Sequence, residues 1–95
     1  MEIAVEISLY PLDAAFIPPI EDFIGRVRTH ERLRVVTTSL STQIVGRYEE
    51  VMSTLEREMR TSFAALEKAV FVMKVIGPLS AAVSAAAGAT AAPAA

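Results

Sequence analysis

The apolar positions at the start of the chain alternate. Ile3, Val5, Ile7 and Leu9 are interleaved with Glu2, Ala4, Glu6 and Ser8, the period of two expected of a half-buried strand, whose successive side chains point to opposite faces. Pro11 is expected to stop it. The period then lengthens: Phe16, Ile20, Phe23, Ile24 and Val27 recur on one face of a helix. Asp13 is its expected cap, and Pro18 and Pro19 are tolerable in the first turn, where a missing N–H costs least. Arg26, Arg28 and His30 gather near its end, where the helix dipole favours cations, and His30 reads as a solvated capping residue.

From Leu33 to Gly46 the chain is β-branched and hydroxyl-rich, with room for two short strands and a tight turn around Ser39 to Ser41. Gly46 is expected to close the second. A helix follows, with Glu49 and Glu50 in its first turn and an apolar stripe of Val51, Met52, Leu55, Met59, Phe63 and Leu66. Glu56 and Glu58 read as solvated, Glu56 pairing with Arg60 four residues on. In the last strand, Ala69 to Ile76, Phe71, Met73 and Val75 fall on one side and Val70, Val72 and Ile76 on the other. Gly77-Pro78 ends it.

The order βαββαβ predicts an α+β, ferredoxin-like domain: a four-stranded antiparallel sheet with two helices on one face. The last strand is apolar on both sides, so the face away from the helices is expected to be covered, by a second sheet or by a ligand. A core this small gains from a partner chain. The expected assembly is a homodimer or homotetramer.

Composition narrows the function. The 95 residues suit one domain, assigned to residues 1–78, with an alanine-rich flexible tail over 79–95. That tail is uncharged but has too few large apolar side chains to favour membrane insertion. The acidic N-terminus lacks the basic and apolar regions of a signal peptide, so the expected location is cytoplasmic. A net charge of −2, from nine basic and eleven acidic residues, leaves no basic surface for nucleic acid. With no cysteine and one histidine, no metal site or cofactor is expected. No catalytic residues can be assembled into a nucleophile–base pair or a phosphate loop, and the chain is not expected to be an enzyme.

What remains is a polar lining. Glu6, Ser8 and Tyr10 share one face of the first strand, and the segment from Thr37 to Thr42 adds hydroxyls if the middle strands pair beside it. Hydroxyls and a carboxylate next to apolar walls suit a small, polar, partly aromatic ligand. The alternative is that Ser and Thr merely favour strands and Glu6 faces solvent.

Three segments, Ser8-Leu9-Tyr10-Pro11-Leu12, Phe16-Ile17 with Ile20, and Leu40-Ser41-Thr42-Gln43-Ile44-Val45-Gly46, together resemble the thiamine-binding, YkoF-like family over roughly residues 3 to 76. The resemblance implies the same ferredoxin-like fold, pairing of domains or chains, and non-catalytic binding of thiamine (vitamin B1) or its hydroxymethylpyrimidine half. It implies Ser8, Tyr10, Phe16, Ile17, Ser41 and Thr42 as ligand-binding residues, with Thr38 and Ser39 as looser matches. Glu6 could then face the thiazolium charge. The rival reading is a structural or regulatory oligomerisation module with no small ligand of its own.

Overall fold

In the computed structural model, which describes residues 1–80, the alternating N-terminal segment is strand β1, Glu2–Pro11. It is followed by α1 (Ile17–Arg28), β2 (Arg34–Thr37), β3 (Thr42–Arg47), α2 (Tyr48–Ala65) and β4 (Ala69–Ile76). The expected tail lies outside the described residues from position 81 on; the backbone N–H of Leu79, at its start, donates to Glu2 O at 2.8 Å. The four strands form one antiparallel sheet in the order β2-β3-β1-β4. This is the ferredoxin-like arrangement that the pattern implies.

Ile3, Val5, Ile7 and Leu9 of β1 face the helices and, with Ile44, Phe23, Val27, Leu33, Val51 and Leu55, make the core. The register places Leu9 opposite Phe71, Ile7 opposite Met73 and Val5 opposite Val75, which puts these three β4 residues on the helix side. Phe71 meets the rings of Phe23 at 5.0 Å and Phe63 at 5.3 Å. Gly46 lies on the same face of β3, where a Cβ would sit 2.7 Å from Leu33 Cδ2. Leu33 and α2 pack closely over the sheet there because no side chain intervenes.

Several local expectations are corrected. β1 continues through Pro11, which pairs with Ala69, and β3 runs one residue past Gly46. Asp13 does not cap α1: its Oδ1 accepts from Ala15 N at 2.8 Å, and the helix begins without a side-chain cap. The two first-turn prolines lack N–H groups, which leaves a cap less to satisfy. On α2 the buried residues are Val51, Thr54, Leu55, Glu58 and Ser62, while Phe63 is half exposed. The buried seam is thus rotated toward α1 and is partly polar.

Candidate functional site at the end of the sheet

Unequal strand lengths open a cleft. β1 pairs with β4 from Ala4 to Pro11, but with β3 only from Glu2 to Ile7. Beyond Ile7 no strand among the described residues neighbours β1 on its β3 side, because the chain turns back at the β2–β3 hairpin. A cavity of about 430 Å³ lies in the gap, within the range of small-molecule sites. One wall is the unbroken run from Ile7 to Leu12, the second is the hairpin from Thr37 to Thr42, and the third is Phe16, Ile20, Phe23 and Ile24 at the start of α1.

The hairpin wall is built from hydroxyls. Thr37 and Thr42 face each other across the last pair of the ladder, with their Oγ1 atoms 3.1 Å apart. One hydroxyl donates and the other accepts, so the pair satisfies itself while retaining a further donor and acceptor lone pairs. Thr38 holds the tip: its N–H donates to Ser41 O at 2.9 Å, and its Oγ1 accepts from Leu40 N at 3.1 Å. Ser8 Oγ donates to Leu40 O at 3.3 Å, tying the tip to β1. Among the described residues, none that lines the cavity is Asp, Glu, His, Lys or Arg. It offers hydroxyls, backbone and apolar side chains.

Of the residues singled out from the sequence, Ser8, Tyr10, Phe16, Thr38, Ser39, Ser41 and Thr42 line this cavity. Glu6 and Ile17 do not. Glu6 lies on the sheet face away from the helices, its Oε1 3.9 Å from Lys74 Nζ. Ile17 begins α1 and is half exposed. Thr42 is buried and aligned with Ile7 on the helix side, whereas Ser8 and Tyr10 point to the opposite face. The cleft therefore wraps the end of the sheet instead of lying on its open face. Leu9, Ile20, Phe23, Ile24 and Leu40 also line it; the three α1 residues were legible only as a core-facing stripe.

The α1 wall is fastened to α2 by a polar clamp. Arg26 Nε donates to Glu58 Oε1 at 2.9 Å, and its Nη2 donates to Glu58 O at 2.9 Å and Ser62 Oγ at 2.7 Å. Its Nη1 pairs with Asp22. His30 Nε2 is 3.1 Å from Glu58 Oε2, and since a carboxylate only accepts, that nitrogen carries the proton. Glu58 and His30, expected in solvent, thus lie between the helices. Burial pushes the Glu58 carboxyl up, but hydrogen bonds from His30 and Arg26 outweigh it and hold the group below the usual carboxylate range.

The sequence matches no protein-family model and no curated protein. Solved structures do share the fold. A Streptococcus pneumoniae protein superposes with a TM-score of 0.80 at 18% identity, over 92% of this chain and 98% of its own. A hypothetical protein of Methanocaldococcus jannascii gives 0.72 at 19% identity, over 82% and 81% of the two chains. A Thermotoga maritima protein provisionally assigned to thiamine biosynthesis or salvage gives 0.64 at 15% identity, over 82% and 85%. At these identities the likeness establishes the fold. No helix among the described residues is long and apolar enough to cross a membrane.

Proposed function

We propose that this chain is a non-catalytic binding protein for thiamine or its hydroxymethylpyrimidine half, of the YkoF-like kind, and that it works in the cytoplasm as a homo-oligomer. The observation that carries the reading is the cleft at the end of the sheet, with hydroxyls on one wall, aromatic rings on another and no charged side chain in its lining. Such a cavity can hold a flat ring against Phe16 and Phe23 while Ser41, Thr42 and Thr37 meet its polar edge. It holds no side chain suited to general acid–base work near neutral pH, which favours binding over turnover. The Thermotoga maritima neighbour, with its thiamine assignment, supports the choice of ligand. Glu6, outside the lining and beside Lys74, has no part in the proposed site.

Calorimetric titration with thiamine and with hydroxymethylpyrimidine tests the proposal. Saturable heat with either supports it, and silence with both at millimolar concentration sinks it. The exposed apolar face of β4 and β1 supports the rival reading as an oligomerisation module: Tyr10, Val70, Val72 and Ile76 are each about half exposed or more. That reading takes over if neither ligand binds.

A further inference from the structure

The ladder between β1 and β3 stops just short of Leu9. Along a central antiparallel strand, the backbone groups of alternate residues bond alternate neighbours. Two contacts fix the alternation here. Leu12 N donates to Lys68 O at 3.2 Å on the β4 side, and Tyr48 N donates to Met1 O at 3.0 Å on the β3 side. Even-numbered residues of β1 therefore bond toward β4, and odd-numbered ones toward β3. Ile7 is paired with Thr42, and the next odd position is Leu9. Continuing that register would set Leu40 opposite it.

Leu40 bonds elsewhere. Its N–H donates to Thr38 Oγ1, and its carbonyl accepts from Ser8 Oγ. Both main-chain groups of Leu40 are thus taken by side chains, and the N–H and C=O of Leu9 meet no partner among the described residues. Pro11, the following odd residue, has no N–H to lose on that side, which explains how a proline is accommodated in a central strand. The unbroken run of lining residues from Ile7 to Leu12 agrees with a wall made of main chain, since side chains alone would contribute every second residue.

We infer that the main-chain N–H and C=O of Leu9 are the recognition edge of the cleft, selecting an uncharged planar ring that carries an acceptor and a donor side by side, as an amino-substituted nitrogen heterocycle does. The ligand takes the ladder position that a further β3 residue would hold. This inference rests on the proposed binding role of the cleft. It follows from the alternation of the strand, and it assigns specificity to backbone atoms that no side-chain comparison would flag. A buried N–H without a partner is costly, so a ring that satisfies both groups gains over one that satisfies only one. A charged group in the same space would find no counter-ion in the lining.

The test combines calorimetry with residue-resolved amide exchange on the whole chain. Hydroxymethylpyrimidine, its analogue lacking the amino group, and thiamine serve as probes. The expected result is that the des-amino analogue binds at least about tenfold more weakly than hydroxymethylpyrimidine. The Leu9 amide should exchange at least about tenfold more slowly with saturating ligand, while the Tyr10 amide, on the β4 side, is unmoved. Equal affinities, or binding that leaves Leu9 exchange unchanged, overturns the inference while the binding role stands. If none of the three probes binds, the binding role fails and the inference falls with it.

Discussion

A carboxylate only 7% exposed, as Glu58 is, has to be paired or neutral. Arg26 and His30 pair it. Its folded-state pKa is below that of the unfolded chain, so the unfolded state binds the proton more strongly. The stabilisation is therefore complete above the ordinary carboxylate range, near 4.5, and is lost as pH falls through the depressed folded value. Glu58→Gln should lower stability by about 1–3 kcal/mol at neutral pH, and the gap to wild type should close on acidification. Denaturant unfolding of both proteins from pH 7 to pH 3 would show it; a gap independent of pH would mean that the charge contributes nothing. Neighbouring positions separate the two sides of the helix. Leu55→Ala should cost ~2–5 kcal/mol, and Glu56→Ala, on the solvent side beside Arg60, less than about 0.5 kcal/mol. Equal losses would contradict the observed helix face. Nothing local marks Glu58 as different from Glu56, because what separates them is an arginine of α1 and a histidine just past that helix's end.

Each element is legible in the chain because its period is local, whereas the cleft depends on how elements are offset. Ile3 to Leu9 alternate whatever else is present, and Val27, Val51 and Leu55 are buried where the helical spacing puts them. Where β3 stops alongside β1 is a matter of register and of the hairpin's length, which no periodicity encodes. Thr37, Thr38, Ser41 and Thr42 could be read as hydroxyl-rich, but their separation into a facing Thr37–Thr42 pair and a turn held by Thr38 emerges only from the pairing. The hairpin should thus behave as a unit. Thr42→Val leaves the Thr37 hydroxyl without its partner at a partly buried position, at a cost of up to about 1–3 kcal/mol. It should also weaken binding of hydroxymethylpyrimidine by roughly ten- to a hundredfold. Glu6→Gln, outside the cleft, should leave that affinity unchanged within about twofold. Calorimetry on the two variants, each checked for melting temperature, separates the hairpin from the outer sheet face; a larger effect at Glu6 would move the site to that face.

The whole molecule has two unequal sheet faces and two edge strands, β2 and β4. On the helix side the core is closed by α1 and α2, but the other face carries Tyr10, Val70, Val72 and Ile76 with Lys74 as the charge among them on β4. β4 is also an edge strand along its length, contains no proline and is eight residues long, which is the kind of edge that invites another chain. A second copy docked on this face through a two-fold axis would place like residues against like, so a single substitution acts twice at one interface. Val72 is about half exposed and does not line the cleft, so its effect on assembly can be separated from any effect on ligand. Val72→Glu should turn a homo-oligomer into a monomer at micromolar concentration, as read by light scattering, because it brings paired like charges into an apolar contact. Hydroxymethylpyrimidine affinity should stay within about twofold, since Val72 lies outside the cleft lining. A wild-type protein that is already monomeric would remove the self-association proposal. A monomeric Val72→Glu that also loses its ligand would show that the partner chain completes the site.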